Sequence, residues 1–274
     1  MNQNYILSGE FAKLCDTSKE TLRHYKDIGL LKPKYEGKNG YLYYDAEQFY
    51  DYYAIAIFKK TGTPLAKIKE CIGHQNIPSI LETLKEQQEA LAEEKRRIEH
   101  MQFVVKNSIK NMSLGLSQET SDFQPQIAFF DKEHLLAVPH NIFFISEEEQ
   151  QDENRVLISV LRKYKEICDQ YKVQTDYQLG AMMQFHSKEI THLYTKVNKA
   201  YKNPYYKLKP EGMYLYTIKK GSWDLSTTYE KFIDYIVQNN IKTIGDIYAY
   251  DLAGFMVNGI EDNAMTIISI QVVA

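Results

Sequence analysis

The sequence predicts a multidomain protein of mixed α and α+β class. Its parts are an N-terminal winged helix-turn-helix, a long coiled-coil dimerisation helix and a C-terminal antiparallel sheet domain built from a duplicated β-α-β-β unit. Two short helical segments near the N-terminus precede an Asn-Gly hairpin signal. A helical pattern without Gly or Pro then runs from Ile80 to about Leu114. From about Gln126 onward, strand-like and helical segments follow an order that occurs twice.

The first two helices have clear boundary signals. Residues 8–15 place apolar side chains at helical spacing after a serine. A second helix is predicted over residues 19–29, where the N-cap is either Thr17, which has the spacing of a capping box, or Ser18. Gly29 ends this helix. Two short helices joined by a few residues form a helix-turn-helix unit.

A small wing follows the helix pair. Asn39-Gly40 predicts a type I′ hairpin turn between Lys34-Tyr35 and Tyr41–Tyr44. Two more helices are predicted at about 46–60 and 64–73. A Gly-Thr-Pro break separates them, because Gly favours a helix end and Pro favours a helix start.

The central helical pattern predicts a coiled coil between two subunits. Apolar residues recur there at intervals of seven, at Leu84, Leu91, Ile98, Val105 and Met112. A coiled coil needs a second apolar series at intervals of seven, here three residues before the first. This second series is partly polar: Leu81 and Ile109 are apolar, but Gln88, Lys95 and Gln102 are not. Two alternatives stay open at this point: a dimer interface along the seam, or a long helix packed on its own C-terminal domain.

The C-terminal part predicts a sheet with two helices on one face. Apolar runs at 127–130, 135–138 and 142–145 indicate strands, and strand-helix-strand-strand units follow them. The groove between two such halves is a natural concave ligand site. Residues 115–125 are polar and contain Gly and Pro, which indicates a linker. The predicted domains are a winged helix-turn-helix (1–75), a dimerisation helix with its linker (76–120) and an effector-binding domain (121–274).

Composition restricts the function classes. The formal net charge of −3 argues against non-specific polyanion binding by the whole chain. Residues 19–38 nevertheless carry six Lys or Arg against three Asp or Glu, a local charge of +3, which is compatible with DNA binding. The 22 tyrosines suit a surface that grips nucleic acid, protein or a flat organic ligand.

Other classes find no support in the sequence. No run of about 18 apolar residues and no signal-peptide pattern occurs, so we expect a cytoplasmic protein without a membrane partner. Cys15, Cys71 and Cys168 lack metal-site spacing. We therefore expect reduced thiols, no metal and no cofactor, with a thiol sensor as the minor alternative.

Three stretches resemble the DNA-binding domain of the MerR family: TSKETLRHYKDIGLLKP, NGYLYY and KKTGTPLAKIKE. The resemblance covers about the first 75 residues. The last 150 residues or so resemble, in layout and length, the gyrase-inhibitor-like effector domain of the family's multidrug-sensing branch.

The resemblance implies a mechanism. Members bind as homodimers, through the central helix, to double-stranded promoter DNA whose two recognition elements are too far apart. A small-molecule effector, aromatic or lipophilic and in some cases cationic, lets the dimer distort that DNA so that RNA polymerase engages both elements. Control is indirect, because the protein's binding energy is spent on DNA deformation.

The candidate DNA contacts are Ser18, Lys19, Arg23, His24, Tyr25, Tyr41 and Lys59. Arg23 matches the family's arginine and suits a phosphate or a base edge. Tyr25 could equally belong to the core, and Lys59 could equally be a helix C-terminal lysine that favours the dipole. Leu42 stands where the family's wing has an arginine, so we expect one phosphate contact to be missing.

The candidate ligand contacts are Met183, Phe185, Tyr214, Tyr216, Trp223, Tyr248, Tyr250 and Asp251, most of which suit an adaptable aromatic pocket. In the multidrug branch a buried glutamate lies on a strand resembling GDIYAYDLAGFM, and Ala249 occupies its place here. Strand alternation puts Asp251 on the same face as Ala249, so one hypothesis is that Asp251 takes over the role and favours cations. The alternative is that Asp251 is a strand-end or turn residue.

Three functions compete. The favoured one is a ligand-responsive transcription regulator that is not an enzyme, because no nucleophile-base motif or metal spacing occurs. The second is a small-molecule hydrolase, in which a buried acid beside a tyrosine activates water. The third is a repressor without a ligand, which a filled pocket would support. The sequence does not identify the effector, the operator or the direction of regulation.

Overall fold

The computed structural model describes residues 5–73, 77–118, 123–143, 153–185, 187, 189–221, 224–253 and 264–273. The chain forms two compact units, residues 1–97 and 98–274, and the boundary falls inside one long helix. Each unit therefore contains part of this helix, whereas the sequence predicted a separate segment, 76–120, for it. Along the described residues, no helix is both long and apolar enough to cross a membrane.

The N-terminal unit has the predicted winged helix-turn-helix architecture. Its elements are β1 (Ile6–Leu7), α1 (Ser8–Leu14), α2 (Lys19–Asp27), β2 (Tyr35–Glu36), β3 (Leu42–Tyr44), α3 (Gln48–Lys60) and α4 (Leu65–Gly73). The strands form an antiparallel sheet in the order β1-β3-β2. Phe11, Leu22 and Ile55 are fully buried in one core, where Tyr44 stacks on Phe11 with the ring centres 4.5 Å apart.

Hydrogen bonds decide two local predictions. Ser18 is the N-cap of α2, because its hydroxyl accepts the Thr21 backbone N–H at 3.0 Å. The predicted type I′ wing turn is wrong. Gly40 has φ of +78° but Asn39 has no positive φ, and the Gly40 N–H donates to the Gly37 carbonyl at 2.8 Å. The wing is therefore a longer loop in which glycine supplies the single left-handed residue.

The central helix, α5 (Ile77–Ser117), is 41 residues long and extends beyond the predicted bounds at both ends. Its heptad residues Leu84, Leu91, Ile98 and Val105 are between 39% and 56% exposed. These four residues of the predicted seam therefore stay in solvent within a single chain, whereas the fifth, Met112, is half-buried.

A second face of α5 packs on the C-terminal unit. Val104, Ser108 and Asn111 are buried, and Leu114 joins the core of the sheet. The predicted linker began at Gly115, but the helix continues through this residue to Ser117. The Met265 side chain packs closely there, so that an added Cβ would lie 2.6 Å from its sulfur. The two alternatives for this helix thus apply to different faces of it.

The C-terminal unit contains one eight-stranded antiparallel sheet. Its elements are β4 (Gln126–Phe130), β5 (Glu133–Pro139), α6 (Glu153–Tyr171), β6 (Gly180–Met183), β7 (Ile190–Val197), β8 (Tyr206–Lys209), β9 (Gly212–Lys220), α7 (Ser226–Gln238), β10 (Thr243–Asp251) and β11 (Met265–Val272). The strand order is β4-β9-β11-β10-β6-β7-β5-β8. The units β5-α6-β6-β7 and β9-α7-β10-β11 repeat one another and join through the pair of β10 and β6, so the predicted duplication is confirmed.

The two faces of the sheet have different cores. On one face, α6 contributes Tyr164 and α7 contributes Phe232 to separate apolar clusters. The other face is rich in tyrosine and carries Tyr194, Tyr214 and Tyr250, with Leu114 of α5 against it. The predicted placement of both β-α-β-β helices on one face is therefore confirmed.

Two strand predictions differ from the structure. The run 142–145 was expected to be a strand, but His140–Phe143 form a 3-10 turn and the last residues of the run lie outside the described part. Strand β8 was not predicted, because its four residues alternate lysine with larger side chains between two prolines and resemble a loop.

We expect Gly180→Ala to destabilise the C-terminal unit by about 1–3 kcal/mol through overpacking. The added Cβ would lie 2.5 Å from the Tyr194 ring and 2.7 Å from the Ala249 carbonyl oxygen. Gly115→Ala is the matched control, because its nearest neighbour is the flexible Met265 side chain and alanine gains helix propensity. Urea unfolding of both variants measures the difference, and equal stability would contradict the close approach at Gly180.

Candidate functional site

An open groove of about 530 Å³ lies on the N-terminal unit. It brings together Lys13 from α1, Lys19 and Arg23 from α2, and Tyr41 from the wing. All four side chains are exposed. Three cations and a hydroxyl on one concave surface provide the donors that a phosphate backbone requires. Glu10 and Glu20 also line the groove, so its net charge is three minus two, or +1.

The other predicted DNA contacts differ in their exposure to solvent. Ser18 caps α2 and so fixes the start of the helix that carries Arg23. His24 is exposed beside it, whereas Tyr25 is only 3% exposed and belongs to the core. Lys59 is exposed, with its ammonium 5.9 Å from the Tyr25 ring centre.

The wing presents a tyrosine but no arginine. Tyr41 is 56% exposed, whereas Leu42 is buried in the N-terminal core. The residue at the family's arginine position therefore contributes to the stability of the wing.

A cavity of about 40 Å³ lies inside the C-terminal unit, on the tyrosine-rich face of the sheet. Its lining residues are Lys110, Asn111, Leu114, Phe130, Glu133, Tyr194, Lys196, Lys209, Tyr250, Leu252, Ile267 and Ser269. The volume is room for a few water molecules. The lining therefore combines aromatic side chains with an unusual number of charges.

Glu133 is the carboxylate of this cavity. Its two oxygens lie 2.8 Å from the Lys196 ammonium and 3.4 Å from the Lys209 ammonium, and all three side chains are at most 17% exposed. Burial alone would raise the pKa of Glu133, but the two lysines outweigh it and hold the pKa at about 2. The carboxylate is therefore ionised at any physiological pH.

Lys209 lies in an aromatic cage. Its ammonium is 4.9 Å from the ring centres of Tyr214 and Tyr248 and 5.4 Å from that of Phe130. Burial lowers the pKa of Lys209 to about 8, although the nearby Glu133 opposes the shift. Cation–π contact and one ion pair hold the charge in place of water.

Asp176 connects this cavity to α5. It accepts hydrogen bonds from the Tyr250 hydroxyl at 2.5 Å, the Thr195 hydroxyl at 3.1 Å and the Asn107 amide at 3.2 Å. Burial raises the pKa of Asp176 despite these donors. Because Asn107 belongs to α5 and Tyr250 lines the cavity, two hydrogen bonds join the helix to the cavity wall.

Two further contacts hold the same loop to α5. The Asn111 amide donates to the Gln178 side chain at 3.1 Å, and a ring nitrogen of His100 lies 2.7 Å from the Thr175 carbonyl oxygen. The loop between α6 and β6 is thus joined to the helix at three residues, His100, Asn107 and Asn111, over about three turns.

The predicted ligand contacts divide between the two faces of the sheet. Tyr214, Tyr216, Tyr248 and Tyr250 share the cavity face, where Tyr250 lines the cavity itself. Met183 and Phe185 pack on the other face, in the cluster around α7. The predicted contact Trp223 is outside the described residues.

Asp251 is half-buried at the end of β10, where its carboxylate accepts the backbone N–H of Ala253 at 3.0 Å. This is the placement that the strand-end alternative expected. The cavity acid is Glu133 on β5, which the sequence analysis did not single out. Lys196, Lys209 and Asp176 were missed with it, because isolated charges in strands give no sequence signal of burial.

Burial disfavours the reactive thiolate form of two of the cysteines. Burial raises the pKa of the Cys15 and Cys168 thiols to about 11, which disfavours the thiolate. Cys71 is buried with its sulfur 3.3 Å from the Thr83 hydroxyl.

Known proteins similar to this chain are regulators. Residues 7–74 match the sequence family described as "MerR HTH family regulatory protein". The chain is 27% identical over 267 residues to the Multidrug-efflux transporter 2 regulator of Bacillus subtilis, covering 95% of this chain and 94% of that protein. It is 31% identical over 124 residues to the HTH-type transcriptional regulator SkgA of Caulobacter vibrioides, covering 45% and 47% of the two chains.

A solved structure is also similar over the N-terminal part. The N-terminus of the Bacillus subtilis multidrug transporter activator, MtaN, has 28% sequence identity and a TM-score of 0.34. The match covers 38% of this chain and 97% of that chain.

We expect the buried Lys209 to make stability depend on pH. Its pKa of about 8 in the folded protein lies below the ordinary lysine value of 10.5. Between these values the unfolded chain holds a proton that the folded chain has released, so the free energy of unfolding rises with pH. The rise is on the order of 1 kcal/mol per pH unit.

The measurement is urea unfolding of wild type and Lys209→Met between pH 7.5 and 9.5. The difference in unfolding free energy, wild type minus variant, should increase across this window. Taking the difference cancels the titration of cysteines and tyrosines that both proteins share. Lys231→Met, at an exposed position on α7, is the control and should give a constant difference. Parallel curves for Lys209→Met would show that its ammonium is not held in a low-dielectric site.

Proposed function

We propose that this chain is a ligand-responsive, DNA-binding transcription regulator of the MerR type, because residues 7–74 match the family described as "MerR HTH family regulatory protein". The observation that carries the proposal is the groove in which Lys19, Arg23 and Tyr41 meet within those residues. Its partners are double-stranded promoter DNA, RNA polymerase at that promoter and a small-molecule effector. Such a protein acts in the bacterial cytoplasm, where promoter DNA lies.

The DNA contact depends on the geometry of the groove. Arg23 and Lys19 lie one helical turn apart on the exposed face of α2, and the wing places Tyr41 across from them. Arg23 provides base or phosphate recognition, and Lys19 and Tyr41 contact the backbone. Tyr25 supports this surface from the core.

The seam of α5 supports a homodimer. Leu84, Leu91, Ile98 and Val105 form an exposed apolar stripe at heptad spacing, about 30 Å long at the rise of an α-helix. A stripe of this length on a single helix is covered by an identical stripe in a two-stranded coiled coil. A dimer also places two helix-turn-helix units on two half-sites of one operator.

The C-terminal unit supplies the effector site and its connection to the dimer helix. A ligand in the cavity contacts Tyr250 or Lys196, and both neighbour Asp176. Asp176 holds Asn107 of α5, so a rearrangement in the cavity moves or releases the helix that forms the dimer seam. DNA distortion by the dimer then changes with ligand occupancy.

One observation favours a second candidate, a repressor without a ligand. The cavity of about 40 Å³ is much smaller than the roughly 300 Å³ or more of drug-sized ligand sites. The regulator proposal therefore requires lining side chains to move on binding. We do not propose an enzyme, because the described cavity holds its carboxylate in ion pairs with Lys196 and Lys209 instead of leaving it as a base.

We expect Arg23→Ala to weaken operator binding by roughly 1–3 kcal/mol per half-site contact, about 5-fold to 150-fold each. The exposed side chain can be removed without disturbing the core. Lys163→Ala is the control, because Lys163 is a basic residue of the C-terminal unit paired with Glu166 at 3.1 Å. Fluorescence anisotropy with promoter DNA at moderate salt measures both, and unchanged affinity for Arg23→Ala would refute the recognition-helix assignment.

We expect the double variant Leu91→Glu/Ile98→Glu to be monomeric and to lose operator binding. Four carboxylates would face one another along the seam of a dimer, and unpaired charges are costly to bury there. Ala92→Glu adds a charge at an exposed position beside the seam and should remain dimeric. Sedimentation and operator binding are measured on all three proteins. A double variant that sediments as a dimer and binds operator would place the interface elsewhere.

A further inference from the structure

The wall of the effector cavity has an excess of positive charge. Lys110, Lys196 and Lys209 line it against the single carboxylate of Glu133, so the lining carries three minus one, or +2. Asp176 lies one layer behind and is not part of the lining. Lys110 lies at the mouth, where its side chain is about half exposed and its ammonium is 3.9 Å from the Asp131 carboxylate.

The carboxylates of this region are already engaged by the protein's own cations and hydrogen-bond donors. Each oxygen of Glu133 already faces a lysine. The carboxylate of Asp176 accepts from three side chains and from the backbone N–H groups of Lys196 and Gln178 at 3.3 and 3.4 Å. A ligand cation would therefore have to share the Glu133 carboxylate with two resident lysine ammonium groups, which repel it.

The aromatic faces are also occupied by the protein's own cations. The Lys196 ammonium lies 4.1 Å from the ring centre of Tyr250, and Lys209 lies among Phe130, Tyr214 and Tyr248. A ligand cation would compete for these π faces. The ammonium groups, in contrast, each carry three N–H donors and have one carboxylate oxygen apiece within ion-pair distance among the described residues.

From this arrangement we infer that the cavity binds a lipophilic organic anion, such as an aromatic carboxylate, in preference to a cation. The ligand carboxylate takes the spare donors of Lys209 and Lys196, with Lys110 at the entrance, while its apolar body packs on Phe130, Leu252 and Ile267. The inference rests on the effector role proposed for the C-terminal unit and assigns the chemical class of that effector.

Space for the apolar body of the ligand is expected from movement of the cavity wall formed by Phe130. Phe130 lies on β4, which is the edge strand of the sheet and pairs with β9 alone among the described strands. Its ring stacks on Tyr214 with centres 5.5 Å apart and covers Lys209. Displacing this ring opens the cavity toward the lysines without breaking the central strand pairs.

Three probes of matched shape test the inference: 2-naphthoate, 2-naphthalenemethanol and 2-naphthylmethylammonium. Isothermal titration of the full-length protein at pH 6.5 measures the affinity of each. Naphthoate should bind at least tenfold more tightly than the alcohol, and the ammonium should bind most weakly. Operator binding is measured on the same preparation, so that failure of the ligand site and failure of the DNA-binding function are seen separately.

Variants then assign the charge to named residues. Lys209→Met keeps the side-chain length and should lower naphthoate affinity at least tenfold while leaving the alcohol unchanged. Lys110→Met lies at the exposed mouth, cannot unfold the core, and should lower naphthoate affinity by a smaller factor. Glu133→Gln should bind naphthoate at least as tightly as wild type. If the cavity were a cation site, the same variant would instead lose affinity for 2-naphthylmethylammonium. Lys231→Met on α7 is the control and should match wild type.

The outcomes distinguish the anion preference of the cavity from the effector role of the C-terminal unit. A wild-type preference for the ammonium would overturn the anion inference and leave the effector role intact, and so would unchanged naphthoate affinity in both Lys209→Met and Lys110→Met. No binding of any probe by a preparation that binds operator would overturn the inference together with the effector role, and would favour the repressor without a ligand.

Discussion

Two buried carboxylates on one face of the C-terminal sheet constrain the rest of that unit. A buried carboxylate without partners is costly, so the surrounding structure has to deliver donors to each. Glu133 and Lys209 are directly opposite one another in the β5–β8 pair, and Lys196 reaches Glu133 from β7. The acid thus connects three neighbouring strands, and a register slip in any of them would leave a charge unpaired. Asp176, in the loop before β6, also needs hydrogen-bond donors, and Asn107 of α5 provides one of them.

The need of Asp176 for hydrogen-bond donors means that α5 packs on the C-terminal unit with one face while it presents the heptad stripe on another. One face of the helix is polar and buried, because Asn107 and Asn111 hydrogen-bond to the loop before β6. The neighbouring face carries the exposed heptad stripe, which includes Val105. A helix that is hydrogen-bonded at successive turns does not slide freely along the sheet. These hydrogen bonds thus couple the helix that carries the exposed heptad stripe to the loop beside the cavity.

The sequence was informative wherever a pattern is local or periodic. The helix-turn-helix, the heptad spacing of Leu91 and Ile98, and the repeated β-α-β-β order were all visible, because helices, caps and strands leave regular signals. The cavity was not visible, since Glu133 and its partner Lys209 are far apart in sequence and meet only through strand pairing. A lysine in a short strand is normally a solvated residue, and nothing local distinguishes Lys209 from Lys207. The wing turn was misjudged because Asn-Gly also suits a longer loop with one left-handed glycine.

Strand parity explains why a cation site expected on β10 does not coincide with the cavity. Ala249 and Asp251 alternate with Tyr248 and Tyr250, and the two tyrosines face the cavity. Ile247, which shares the parity of Ala249, packs instead in the cluster with Phe232 of α7. An acid at either β10 position would thus belong to the opposite side of the sheet. The acid on the cavity side is Glu133, and the same strand pairing that buries it also brings two lysines. The sign of the charge that the cavity offers is therefore set by β5, β7 and β8, independently of the strand on which the family resemblance placed it.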